Sequence, residues 1–288
     1  MREQKYSIKN QESFELKDIF ECGQCFRWNE QQDGSYTGVI KNAVINVKKE
    51  DNVITFIGKC EEDIQELVEN YFDLNTNYQE IKEKLSKIDK YMENSIIYGA
   101  GIRILNQDLW ETIISFIISA NNNIPRIKGI IERLSKKYGK EIEWEGNKYY
   151  TFPTAEQLKD VTVKEYRELG LGFRDIRLYE TTKMILNKEV DIEQLKNNED
   201  TYEVRNELLK LSGVGPKVAD CILLFSDLKR FDVFPIDVWV RRVINELYIK
   251  EEIEEKVSKT KIEKLADEKF GKLKGLAQQY LFYWRREN

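Results

Sequence analysis

The twelve residues Leu109–Ala120, LWETIISFIISA, are apolar on nearly every side of a helix. Such a helix cannot lie on a surface, so other elements must cover each of its faces. The chain around it supplies them. From Asn106 onward apolar residues recur with a 3.6-residue period, and further helical patterns cover about 127–138, 154–169, 174–187, 199–210, 216–226, 237–248, 260–269 and 275–286. Pro125 follows an Asn-rich stretch, where the first turn of a helix tolerates proline.

Upstream the period changes. Gln24–Trp28, Tyr36–Ile40, Ala43–Val47 and Val53–Ile57 are short β-branched and aromatic runs, punctuated by Asp33-Gly34, Lys41-Asn42 and Asp51-Asn52. That spacing predicts an antiparallel meander, followed by helical patterns at about 61–72 and 77–92. The expected fold class is α+β: an N-terminal antiparallel sheet domain, residues 1–98, packed on an all-α domain, residues 99–288. The boundary is placed near Tyr98-Gly99-Ala100-Gly101. A length of 288 residues suits two domains. With 13 Phe, 15 Tyr and 5 Trp in a 41% apolar composition, disorder is excluded. No window approaches 18 consecutive apolar residues, and MREQKYSIKN has no hydrophobic run. The expectation is a cytoplasmic protein with no membrane partner.

Histidine is absent altogether. That excludes a histidine base, Ser-His-Asp and Cys-His catalysis, and every His-ligated metal site. A nucleophile must be Lys, Asp, Glu, Ser, Thr, Cys or Tyr. The formal charge of −5 divides into −6 over residues 1–98 and +1 over 99–288. An acidic balance argues weakly against a nucleic-acid partner, but binding follows the field along one face.

Residues 205–243 carry chemistry: RNELLKLSGVGPKVADCILLFSDLKRFDVFPIDVWVRRV. One helix ends near Leu211, a Gly213-Val214-Gly215 turn follows, and Pro216 opens the next helix. Orphan N–H groups at such a turn suit a phosphate, and the glycines permit close approach and positive φ. Any two helices can be joined this way, so the turn alone assigns nothing. Lys217 adds to it. A cation in a first helical turn opposes the helix dipole, and a lysine with a depressed pKa there is what an amine nucleophile needs. Asp237 follows Pro235-Ile236, where it could cap the next helix. Capping alone would account for it; a carboxylate there could also stabilise an oxocarbenium-like transition state and help manage the lysine proton.

Leu211-Ser-Gly-Val-Gly-Pro-Lys217-Val-Ala-Asp-Cys221 with Val233-Phe-Pro-Ile-Asp237-Val resembles the helix-hairpin-helix Gly/Pro…Asp motif of base-excision DNA glycosylases, here at about 205–226. Four further segments resemble the eukaryotic-type 8-oxoguanine DNA glycosylases: Cys22-Gly23-Gln24-Cys25-Phe26-Arg27-Trp28, Ala120-Asn121-Asn122-Asn123-Ile124-Pro125-Arg126-Ile127, Leu169-Gly-Leu-Gly-Phe173-Arg174 and Ala277-Gln278-Gln279-Tyr280-Leu281-Phe282. The five matches come in the family's order and run almost the whole chain.

The resemblance implies the following roles. Lys217 is the nucleophile of a bifunctional glycosylase and abasic-site lyase, assisted by Asp237. The Gly23 carbonyl accepts the N7–H that 8-oxoguanine has and guanine lacks. Cys221 and Phe282 sandwich the flipped base, and Gln278 reads its Watson–Crick edge. Asn121, Arg126, Phe173 and Arg174 fill the vacated stack and hold the orphaned cytosine. Gly213 and Gly215 contact phosphate. The implied reaction is base flipping, Schiff-base formation and β-elimination on double-stranded DNA containing 8-oxoguanine, opposite cytosine, by a monomer in the nucleoid.

Two positions depart from the family. Trp239 stands where animal members carry a phosphate-contacting His, and Arg285 where they carry an acidic residue; Arg285 could instead make a cation–π contact with Trp239. With no Cys beyond 221, the iron–sulfur loop of related glycosylases is missing. Cys22-x-x-Cys25 with Cys60 and Cys221 has the wrong spacing for a zinc finger. No cofactor is required, although carbonyls of the hairpin could ligate a cation. The competing readings are a glycosylase for another damaged base and a catalytically silent DNA-binding module.

Overall fold

The structure is a computed structural model that describes residues 1–253 and 256–287. Five strands form one antiparallel sheet: β1 (Arg2–Lys9), β2 (Trp28–Glu30), β3 (Tyr36–Ile40), β4 (Ala43–Glu50) and β5 (Val53–Cys60), in the order β1-β5-β4-β3-β2. Two-residue connections set the register. Ile40 pairs with Ala43 across Lys41-Asn42, and Glu50 with Val53 across Asp51-Asn52. Lys41 and Asp51 take left-handed backbone, which such hairpins need.

Two parts of the sheet differ from the pattern read in the sequence. β1 has an apolar side of only Tyr6 and Ile8; it forms because all eight of its residues pair with β5. Gln24–Arg27 is not strand. It follows helix α1 (Leu16–Glu21) as a turn, with Gly23 at φ +89°. The buried Gln24 side chain holds that turn, donating to the carbonyls of Ile19 (2.8 Å) and Arg103 (2.7 Å) and accepting from Leu105 N–H (2.9 Å).

Helices α2 (Ile64–Tyr71), α3 (Tyr78–Ser86) and α4 (Lys90–Tyr98) follow the sheet. The single pattern at 77–92 is split because Asp89 caps a new helix, accepting from Met92 N–H at 2.9 Å. α5 (Leu109–Ser119) is the central helix; nine of its eleven residues are buried. α6 (Ile124–Tyr138) starts at an Asn123 cap with proline in its first turn. Then come α7 (Val163–Glu168), α8 (Asp175–Leu186), α9 (Ile192–Asn197), α10 (Thr201–Leu208), α11 (Pro216–Phe225), α12 (Val238–Ile244), α13 (Lys259–Phe270) and α14 (Lys274–Glu287). The pattern at 154–169 shrinks to α7, which begins at a Thr162–Glu165 capping box. The pattern at 237–248 ends in a π turn, Asn245–Ile249.

Among the described residues from 99 onward the regular elements are helices, except for one hairpin, β6 (Glu141–Trp144) and β7 (Asn147–Tyr150), joined at Glu145-Gly146. It docks on the outer face of the sheet, where Ile142 and Trp144 pack with Val39 and Val44. A four-residue strand with two apolar positions is a weak local signal; docking supplies what the strand lacks.

Two cores result. One lies between the sheet, α1 and α2, around Phe20, Trp28, Phe56 and Phe72. The larger surrounds α5 and also takes in Tyr78, Leu85, Met92 and Ile96. Polar side chains join them: Gln107 Nε2 donates to the carbonyls of Gln24 and Phe225, both at 2.8 Å, and Arg27 faces Glu111 at 3.7 Å. Burial outweighs that arginine and pushes the Glu111 carboxyl up to about 7, above its ordinary 4.5. The native state therefore holds a proton that the unfolded chain releases. This group's stabilisation is present below pH 4.5 and is lost as pH rises through 7. Glu111→Gln should flatten that part of a denaturant-unfolding profile taken from pH 5 to 8; an unchanged slope would assign it elsewhere.

Candidate active site

The turn between α10 and α11 needs glycine at one position only. Gly213 has φ +84°, and a Cβ there would press on the Arg177 side chain and on Ile117 Cγ2. Gly215 has φ −89° and open space around it. The expectation of positive φ for the glycines is corrected to Gly213 alone. Pro216 occupies the first turn of α11, which presents Lys217 and, one turn on, Cys221.

Lys217 is half-buried, with Nζ 5.7 Å from the centre of the Phe116 ring on α5. Its pKa lies above the ordinary lysine value through its contact with Cys221, with burial opposing and Asp237 adding to the rise. The expectation of a depressed lysine pKa is therefore corrected: the dipole of one helix turn is outweighed by partners around it. Burial pushes the Cys221 thiol up to about 11, so the thiol is neutral at pH 7 while Lys217 carries its proton. Asp237 caps α12, its Oδ1 accepting from Val240 N–H at 2.9 Å. Capping uses one carboxylate oxygen, and the carboxylate lies near enough to Lys217 to raise its pKa.

α14 and the turn after α1 build the opposite wall. Gln279 Nε2 donates to the carbonyl of Cys22 at 2.7 Å and so fixes the turn at Gly23. Phe282 Cε1 and Arg286 Nη1 flank Gly23, 3.9 and 3.6 Å from where a Cβ would stand. Gln278 is only 6% exposed, and its Oε1 is buried without a hydrogen-bond partner among the described residues. An unmet acceptor of this kind costs roughly 1–3 kcal/mol until something donates to it.

Gly23, Asn121, Lys217, Cys221, Asp237, Gln278 and Phe282 all line one open cleft of about 810 Å³. Phe26, Phe116, Gln279 and Arg286 line it too. They were not singled out in the sequence, where two aromatics and a second glutamine carry no signal of their own. Arg126, Phe173, Arg174, Gly213 and Gly215 are not part of its lining. Asn121 is exposed, with φ +51°. Arg174 is only 2% exposed: Nε and Nη2 donate to the carbonyl of Ala120 (2.9 and 2.5 Å), Nη2 to Asn121 (2.7 Å) and Nη1 to Leu171 (3.2 Å). It bolts the turn bearing Asn121 to the loop before α8. Arg126 donates to Gly170 at 3.3 Å.

The Arg285–Trp239 pairing expected from the sequence is not formed. Arg285 pairs with Glu246 and lies 5.5 Å over Trp284, and it is Arg242 that faces Trp239, at 5.9 Å. Glu246, in the π turn, is the nearer charge. The four cysteines are buried and free, and no group of three His, Cys, Asp or Glu among the described residues could hold a metal ion. No helix among them is long and apolar enough to cross a membrane.

The family model of the 8-oxoguanine DNA glycosylase N-terminal domain matches residues 7–113, and that of the HhH-GPD superfamily base excision DNA repair protein matches residues 114–272. The N-glycosylase/DNA lyase of Saccharomyces cerevisiae is 30% identical over 258 residues, covering 81% of this chain and 68% of that protein. Among solved structures, the apo form of Clostridium acetobutylicum 8-oxoguanine glycosylase/lyase is similar with a TM-score of 0.91 at 44% identity, over 98% of each chain. Its complex with double-stranded DNA containing cytosine opposite 8-oxoguanine gives 0.92 at 43%, over 100% of this chain and 98% of that one.

Proposed function

Because this chain belongs to the 8-oxoguanine DNA glycosylase family of the helix-hairpin-helix base-excision superfamily, we propose that its cleft takes a flipped-out nucleotide and divides reading from chemistry between two walls. The protein is a DNA N-glycosylase with abasic-site lyase activity, and it excises 8-oxoguanine from duplex DNA. One observation carries the division of roles. A half-buried amine near a carboxylate and a buried amide oxygen with no hydrogen-bond partner among the described residues line the same cleft.

Lys217 gives up its proton to solvent, and Asp237 near it stays ionised. The amine then attacks C1′ as the bond to the base breaks, and the base departs with the bond's electron pair. Asp237 stabilises the positive charge that develops on the sugar. Opening of the sugar ring leaves a Schiff base between Lys217 and C1′. Loss of a C2′ proton expels the 3′ phosphate and nicks the strand, and water then frees the lysine. The Gly23 carbonyl takes the N7–H of the lesion, Gln278 reads the Watson–Crick edge, and Cys221 and Phe282 cover the two faces. Asn121, Arg126 and Phe173 serve the gap and the cytosine opposite, Arg174 holds the turn that presents Asn121, and Gly213 and Gly215 admit a phosphate. Amine chemistry requires no cofactor. The reading extends to a monomer acting in the cytoplasm on nucleoid DNA.

Gln278→Ala tests the reading wall. Its excision of 8-oxoguanine should fall by about 10- to 100-fold, the worth of one specific contact, while nicking of a preformed abasic site stays near wild type. Equal loss on both duplexes would remove Gln278 from base reading. If the wild type leaves the 8-oxoguanine duplex intact, the assigned substrate is wrong.

A further inference from the structure

Arg177, in the first turns of α8, has a side chain with no counter-ion. Its guanidinium lies 5.0 Å from the centre of the Phe173 ring, and its aliphatic stem packs against Gly213. It makes no ion pair or hydrogen bond among the described residues. The carboxylates close to it in sequence are engaged: Asp175 with Arg167 at 2.6 Å, and Glu180 with the Ser212 hydroxyl at 2.5 Å. The neighbouring charges are positive. Arg126 and Arg177 both pull the Arg174 pKa below its ordinary value, adding to the effect of burial, and neither Arg126 nor Arg174 has a carboxylate partner among the described residues. In a chain with 51 acidic residues and a net charge of −5, three coupled arginines without an acid are costly unless an anion arrives.

Two of these arginines differ in what they have left to give. Arg174 spends its donors on carbonyls of its own chain, whereas the donors of Arg177 are unspent. Arg177 also touches two separate devices: the exposed Phe173, 53% accessible, and the glycine turn between α10 and α11. We propose that Arg177 is a phosphate-binding residue that ties Phe173 to the hairpin, its guanidinium taking a DNA backbone phosphate beside the base step that Phe173 opens. The inference rests on the DNA reading above. A planar guanidinium can stack on the ring with its face while its edge donates to the phosphate. Bound there, it holds the wedge upright and pins the hairpin in one movement.

The test is the salt dependence of binding to a duplex with an uncleavable abasic analogue opposite cytosine. It compares wild type, Arg177→Gln, Arg177→Lys and, as a remote control, Lys148→Gln on β7. Arg177→Gln should lower the slope of log affinity against log salt by about one phosphate's worth, with an unchanged melting temperature. Arg177→Lys should restore the slope, and Lys148→Gln should leave it alone. An unchanged slope in Arg177→Gln overturns the proposal. So does a reduced slope that lysine fails to restore, since charge is then not the cause. The catalytic reading fails separately, by absence of a borohydride-trapped adduct in the wild type, which the slope does not measure.

Discussion

Lys217→Gln yields no borohydride-trapped adduct on a duplex carrying 8-oxoguanine opposite cytosine, and strand nicking falls by about a thousandfold or more. Duplex affinity stays within a few fold. Glutamine matches the lysine stem closely, so it still covers the Phe116 ring, but its amide nitrogen cannot attack carbon. The size of the effect follows from the cleft. It offers no histidine, and the two thiols that line it, Cys22 and Cys221, are held neutral by burial. Base release that continues at the wild-type rate without an adduct would make water the nucleophile and Lys217 a binding residue. An adduct that persists in the variant would move the nucleophile to another amine. A subsidiary expectation comes from the raised lysine pKa: the single-turnover rate of the wild type should climb as pH rises above neutrality, because more of the amine is free.

Arg174→Ala should cost about 2–4 kcal/mol of unfolding free energy. Arg174 makes charge-assisted hydrogen bonds to three carbonyls, and losing them exposes those oxygens to burial without a donor. For a chain of this length that is a melting temperature lower by several degrees. The loss of excision should be similar whichever base stands opposite the lesion, because the damage is done to the turn that presents Asn121. If Arg174 instead leaves its carbonyls to read cytosine, excision opposite cytosine falls far more than opposite other bases, and the melting temperature barely moves. Measuring both quantities on one variant separates a residue that shapes the site from one that reads DNA.

Several features of this fold are visible one segment at a time. The apolar girth of Leu109–Ser119 places a helix at the centre, and Lys41-Asn42 and Asp51-Asn52 turn the strands that flank them. Asp237 reads as a cap and is one. Other features have no local voice. β1 is nearly polar and becomes a strand only by lying along β5. The β6–β7 hairpin depends on an outer sheet face that lies 100 positions back in the chain. Gly23 becomes a wall of the cleft through Gln279, 257 residues from the carbonyl it holds.

By itself, then, the order of residues determined which groups can do chemistry: one amine after a glycine turn, one carboxylate at a helix start, and no imidazole anywhere. Those are matters of covalent identity and of contacts within a turn or two, and they survive any packing. The tertiary structure alone decided what state those groups are in. It set Cys221 and Asp237 close to Lys217, whose pKa is raised where the local helix dipole would lower it. It spent Arg174 on three carbonyls while leaving Arg177 without an ion pair or hydrogen bond among the described residues, and it gave Arg285 to Glu246 instead of Trp239. Charge, burial and partner choice depend on what lies within a few ångströms in space, and for these side chains the decisive neighbours come from other helices and from the far end of the chain.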